Sequence, residues 1–263
     1  MHAANLAIWN ERVDHHLRSD WYDVASLRRG QVMLDNIERS AFETVQPGQR
    51  LLHLHCHFGI GSISWARLGA SVVGVDYAAA AIEVARRLAA EMHTPTASFV
   101  CSPVEELELV ESFDYAFASW GVLPWVEDLD RWMRHATKSL RPGGQFFLAD
   151  EHPHHFIWNH LNPQRQLELR RSYFDRSPCV DAEGGSYIDP SLTFDIPTFR
   201  WNHTLGSIVT ALAVSGMKIT SLREHPHLPW QALPWMVPAD ETGFWRHDPP
   251  SLPTAFSVRA EKE

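Results

Sequence analysis

Five short apolar runs punctuate the first 150 residues: 51–55 (LLHLH), 72–75 (VVGV), 98–100 (SFV), 115–118 (YAFA) and 145–149 (QFFLA). Each is bounded by turn-forming residues, as strands buried on both faces are. Between the runs the apolar period changes. In 77–92 (YAAAAIEVARRLAAEM), Ile82, Ala85, Leu88, Ala89 and Met92 recur every three or four positions, and Glu83 and Arg87 pair on the opposite face. Val126, Leu129, Met133, Ala136 and Leu140 repeat that spacing up to the stop at Arg141-Pro142-Gly143-Gly144. Further helices fit 62–68 and 204–217, and further strands fit 218–224 and 255–260.

This alternation predicts an α/β fold, a doubly wound and mostly parallel sheet with helices on both faces. Such sheets bind ligands beyond the carboxyl ends of their strands. The last two strands have only a loop between them, so the final one is expected to run antiparallel. Residues 151–203 and 225–254 break the rhythm with Pro, His and aromatic residues, apart from a short helical pattern at 164–171. Segment 151–203 is too aromatic for a disordered linker, which makes it a lid or substrate-binding insertion after strand five. With 119–125 (SWGVLPW), the two segments leave the carboxyl ends of strands four, five and six and should meet over one edge. They carry Trp120, Trp125, Trp158, Trp201, Trp230, Trp235 and Trp245. Each taken singly reads best as core filler; together they predict an aromatic-walled pocket.

Composition narrows the function. With 44% apolar residues, the 263-residue chain holds a sizeable core. We expect a single domain: a helical cap over 1–48, a cofactor-binding core over 49–150, the lid over 151–203 and the rest of the sheet over 204–263. The net charge is -9 and no basic block occurs, so nucleic acid is not an expected partner. A charged N-terminus and the lack of any 18-residue apolar stretch predict a cytoplasmic chain with no membrane partner. Cys56, Cys101 and Cys179 are far apart and are expected as free thiols.

The stretch 51–62 (LLHLHCHFGIGS) carries the first chemistry. His53, His55 and His57 have the residue type of a metal site, whereas Gly59 and Gly61 suit a loop whose backbone approaches a ligand. Asp76, 17 residues after Gly59 at the tip of the second strand, favours the second reading. A carboxylate there can accept both hydroxyls of a ribose diol. The expectation is a nucleoside cofactor and no metal, with a metal-dependent hydrolase using the histidine clusters as the alternative.

LLHLHCHFGIGSISWARLGASVVGVDYAAAAIEVAR (51–86) and FDYAFASWGVLPWVEDLDRWMRHATKSLRPGG (113–144) resemble the class I S-adenosylmethionine-dependent methyltransferases. Within that family the loop resembles a subgroup reading His-Leu-x-Cys-His-Phe-Gly. The resemblance implies a Rossmann-like seven-stranded sheet, S-adenosylmethionine as cofactor and methyl transfer to a small molecule. A cofactor-binding protein on the same fold that transfers no methyl is a second alternative, and a homo-oligomer is left open. The implied cofactor contacts are Arg12, His55, Gly59, Gly61, Asp76, Tyr77, Val104, Glu105, Ser119 and Trp120. Pro103 stands where many members place an aspartate for the adenine amino group, which leaves adenine to the Val104 backbone and Glu105. Trp120, Trp125, Trp158, Trp201 and Trp230 are candidate substrate contacts. Asp150, His152 and His203 are candidate catalytic groups, since an oxygen or carbon nucleophile needs a base. The acceptor is expected to be small and largely apolar or aromatic.

Overall fold

The computed structural model describes residues 1–109, 112–158, 168–182, 185–239 and 243–263. The apolar runs become seven strands of one sheet: β1 (Arg50–Leu54), β2 (Ser71–Asp76), β3 (Ala97–Cys101), β4 (Phe113–Ser119), β5 (Leu140–Glu151), β6 (Met217–His225) and β7 (Ala255–Lys262). Their spatial order is β6-β7-β5-β4-β1-β2-β3. The first six run parallel, and β7 is inserted antiparallel between β5 and β6. The expected doubly wound α/β fold with an antiparallel last strand is therefore what forms. β1 and β4 are neighbours although distant in sequence. The chain order reverses there, and the loops after β1 and β4 diverge to leave a crevice.

The main helices are α1 (His2–Arg18), α2 (Val24–Arg28), α3 (Asn36–Arg39), α4 (Ile60–Arg67), α5 (Ala79–Glu91), α6 (Leu129–Lys138) and α7 (Leu205–Val214). The sheet separates two apolar cores, one holding residues of α1–α5 and the other residues of α6 and α7. α6 starts at Leu129, three residues later than its apolar period suggests, because the Asp128 carboxylate caps it at the Arg131 N–H. Thr204 caps α7 in the same way at Ser207. No helix among the described residues is long and apolar enough to cross a membrane. Cys56, Cys101 and Cys179 are free thiols.

The segment after β5 carries short ladders where no period was readable. Cys179–Asp181 pairs with Thr198–Arg200, and Gly185–Ser186 pairs with Asp189–Thr193. Of the helix expected at 164–171, residues 164–167 lie outside the described residues, and Leu169 forms a bridge with Trp158 instead. α1 docks on this segment through Asn5, whose side chain donates to the Phe199 carbonyl and accepts from the Phe199 N–H. Such a two-point amide contact fixes the register of helix against strand.

Candidate functional site

The loop after β1 is built by its histidines as much as by its glycines. His55 and His57 adopt left-handed backbone conformations, φ 52° and 48°, which fold the chain back so that the Cys56 N–H reaches the Val75 carbonyl of β2. Each imidazole has a different partner. His53 shares a hydrogen bond with Ser62 (2.8 Å), His55 Nε2 accepts from the Trp132 indole on α6 (2.9 Å), and His57 Nε2 meets His16 Nδ1 of α1 (3.0 Å). Burial pushes His53 down to about 3 and His55 to about 4, so both are neutral at pH 7. His55, expected at the cofactor, turns its ring toward α6, so only its backbone faces the loop.

Gly59 and Gly61 answer to internal packing. Gly59 sits at φ 82°, and a Cβ there would stand 2.7 Å from the Phe99 ring. A Cβ on Gly61 would stand 2.9 Å from His53. The glycines let α4 start close against β1 and β3, which a larger residue would prevent.

Asp76 ends β2 and closes the loop. Its Oδ2 accepts the His57 N–H and its Oδ1 the Ala78 N–H, both at 2.9 Å. The Tyr77 N–H also approaches the carboxylate, whose two oxygens offer about four acceptor sites in all. Burial raises the carboxyl to about 6. Above the loop, Arg12 of α1 is 5% exposed, with its guanidinium over Trp9 and Trp125 at 5.1 and 5.5 Å. One terminal nitrogen donates to the Gly185 carbonyl, whereas the buried Nε has no partner among the described residues. Tyr77 and Tyr187 lie within electrostatic reach of this cation. Val104 is a core residue whose backbone opens the turn after β3, and Glu105 beside it is raised by burial.

At the end of β4, Trp120 takes a left-handed conformation (φ 56°) and donates its indole N–H to Asp35 Oδ2 over 2.6 Å. Ser119 Oγ lies 2.7 Å from Glu38 Oε1. Asp35 and Glu38 have no place in the expected site, although the Asp-x-x-Glu spacing of a capping box was readable.

Asp150 is corrected from a catalytic to a structural role. It is wholly buried, and its oxygens accept four backbone N–H groups, those of Gly121, Val122, Leu123 and Glu151, at 2.7–3.0 Å. It shapes the loop after β4 and has no open face. His152 and His203 are not brought together. His152 lies against Glu224 of β6 (3.1 Å), and its Nδ1 accepts the His154 N–H. His203 donates to the Val126 carbonyl (2.7 Å) and lines a cavity of about 440 Å³ between the starts of α6 and α7. Both are held by structural partners, and neither is hydrogen-bonded to Ser119, Trp120 or Asp76 among the described residues.

The tryptophans divide as well. Trp120, Trp158, Trp230, Trp235 and Trp245 surround a small core of Leu228, Leu233, Met236 and Ala255, with Trp120 edge-on to Trp230 at 5.5 Å. Trp125 packs edge-on to Trp9 beneath Arg12, and Trp201 stacks on His2 beside the α6–α7 cavity. The single aromatic edge expected for all seven is thus two separate clusters. Among the described residues, no three His, Cys, Asp or Glu side chains are grouped to hold a metal ion.

Residues 52–148 match the family model described as "Methyltransferase domain". A ubiquinone biosynthesis O-methyltransferase of Nitrobacter winogradskyi is 34% identical over 97 residues, 37% of this chain and 36% of that protein. A second protein of that name, from a Bradyrhizobium species, is 35% identical over 102 residues, 39% of this chain and 40% of that protein. The chain thus spans about two fifths or less of these relatives' length. Among solved structures, an S-adenosylmethionine-dependent methyltransferase from Mesorhizobium loti has a TM-score of 0.61 at 24% identity, covering 85% of this chain and 95% of that one. One from Listeria monocytogenes has a TM-score of 0.64 at 18% identity, covering 86% and 95%. The chain shares the fold of S-adenosylmethionine-dependent methyltransferases, and its best-matched stretch is the one that carries the β1 loop, Asp76 and Ser119.

Proposed function

We propose that this chain is an enzyme that transfers the methyl group of S-adenosylmethionine to a small, largely apolar or aromatic acceptor. The observation that carries the reading is the closure of the β1 loop by Asp76, whose carboxylate keeps acceptor capacity beyond its backbone partners, beneath a buried arginine whose Nε lacks a partner among the described residues. Those residues fit the cofactor: Asp76 would take the ribose hydroxyls, Arg12 the methionine carboxylate, and the Val104 backbone with Glu105 the adenine. Bound there, S-adenosylmethionine supplies an electrophilic methyl on a sulfonium. The chain's part is to align an acceptor with that methyl and to exclude water, for which Trp120 and the cluster behind it provide rigid apolar surface. The relatives named for O-methylation support an oxygen acceptor.

The metal-hydrolase alternative finds no grouped ligand set among the described residues, since the imidazoles go to the separate partners Ser62, Trp132, His16, Glu224 and Val126. S-adenosylhomocysteine should bind the metal-free protein. Asp76→Ala should weaken that binding roughly 10- to 100-fold, the loss of about 1.5–3 kcal/mol expected for hydrogen bonds to a charged group. Calorimetric titration checks this, and an unchanged affinity in a folded variant would remove the ribose role.

A further inference from the structure

α3 is a single turn held by a capping box. Asp35 Oδ1 accepts the N–H groups of Ile37 (2.7 Å) and Glu38 (2.9 Å), and Glu38 Oε2 accepts the Asp35 N–H (2.9 Å). Both carboxyls also reach outside the box. Asp35 holds the Trp120 indole at 2.6 Å, and Glu38 meets the Ser119 hydroxyl at 2.7 Å. A helix cap requires neither contact, and both fall on the last residues before the crevice between β4 and β1.

The two carboxyls are not equivalent. Burial raises the Asp35 carboxyl, but it receives three N–H donors, none of which can reverse, and these favour its anion. Glu38 receives one N–H, and its other partner is a hydroxyl that can donate or accept. It is 8% exposed and sits beside the Asp35 charge. The other charged or titratable groups facing the pair are Arg39, engaged by the Leu34 and Val32 carbonyls, and His227 on the Asp35 side. Burial and the adjacent anion both favour a neutral Glu38, raising it to about 8. Ionised Glu38 is then a base strong enough to be useful near neutral pH, unlike an ordinary carboxylate.

We propose that Glu38 and the Ser119 hydroxyl form the proton-accepting pair of this site, serving an acceptor that carries an O–H or N–H group. This rests on the methyl-transfer reading above. The acceptor's X–H bond breaks and its proton passes to Ser119 Oγ, while the Ser119 proton passes to the Glu38 carboxylate. The electron pair of X forms the bond to the methyl carbon, and the pair of the broken carbon–sulfur bond stays on sulfur. Glu38 releases its proton to solvent before the next cycle. Ser119 transmits the proton, Glu38 stores it, and Asp35 holds Trp120 in place while its charge tunes Glu38.

The test is an infrared pH titration of the full-length protein without ligand, comparing wild type, Glu38→Gln and Ser119→Ala. The proposal expects a carboxylic-acid C=O band that disappears from wild type with a midpoint near pH 8 and is absent from Glu38→Gln. In Ser119→Ala the band should persist at a shifted frequency, because its hydroxyl partner is gone. That arm needs no change to the capping box, so it holds if Glu38→Gln fails to fold. A titration with no such band, or a band that Ser119→Ala leaves in place, overturns the pair. Calorimetry with S-adenosylhomocysteine on wild type judges the methyl-transfer reading separately: failure to bind would sink that reading whatever the infrared result.

Discussion

Asp150→Ala should destabilise the protein by about 3–5 kcal/mol, more than any loss of a single neutral hydrogen bond. The carboxylate gathers the N–H groups of Gly121, Val122, Leu123 and Glu151 in a site with no solvent access. Removing it leaves four buried donors, each costing about 1–3 kcal/mol unless the loop reopens to water. Reopening would release Trp120, whose own N–H is held by Ala149 and whose indole is held by Asp35. Asp150→Asn keeps the shape and one strong acceptor, so its loss should be smaller. Urea unfolding of both variants measures the difference, and a loss below about 1 kcal/mol for alanine would mean that the loop is held elsewhere.

The effect on the site should exceed the effect on the sheet. β4 pairs with β1 and β5 on either side and does not depend on the loop that follows it. Asp150→Ala protein that remains folded should therefore lose the ordered Trp120–Trp230 contact while keeping its secondary structure. A buried carboxylate near β4 thus reads as a catalytic candidate from sequence and as scaffolding from its partners.

What the sequence could and could not reveal follows the range of each interaction. The strands and helices were legible because burial on both sheet faces leaves continuous apolar runs, and packing on one helix face leaves a three-four period. The place of β7 between β5 and β6 was not legible, since periodicity identifies strands and not their neighbours. Asp76 could be placed at the end of β2 because that place follows from its distance to the glycine loop. His55 could not be oriented, because its partner Trp132 lies on a helix 77 residues away. The Asp-x-x-Glu spacing of Asp35 and Glu38 is that of a helix start, yet the Glu38–Ser119 and Asp35–Trp120 contacts span 81 and 85 residues. The tryptophans were placed at the carboxyl edge by topology, whereas their division depends on α1 bringing Trp9 to Trp125.

Thermal stability should fall steeply as pH is lowered from 7 to 5.5, because the protein buries neutral imidazoles. His16 and His53 are lowered to about 3, and His55, His152, His154, His155, His225 and His247 to about 4, each with burial as the largest cause. An imidazole whose folded pKa lies below its unfolded 6.5 takes its proton first in the unfolded chain. Its stabilisation is complete above pH 6.5 and is lost as pH falls toward the folded value. Between pH 7 and 5.5 each such group forfeits about 1 kcal/mol when wholly buried, as His16 and His155 are. Raised carboxyls act in the opposite sense, Asp35 and Glu105 among them. Asp76 and Asp150 are raised to about 6 and Glu38 to about 8, so their contribution is complete below the unfolded carboxyl range and lost as pH rises through those values. Over the same interval Asp76 and Asp150 return about 1 kcal/mol each and Glu38 about 2 kcal/mol. The imidazoles outweigh the carboxyls, leaving a net loss on the order of 4 kcal/mol and a drop in Tm of roughly 10 °C. Calorimetric scans across this range check the sign. A Tm that holds level or rises on acidification would show that the carboxyls dominate and that the histidines around the β1 loop and the end of β5 accept protons without unfolding.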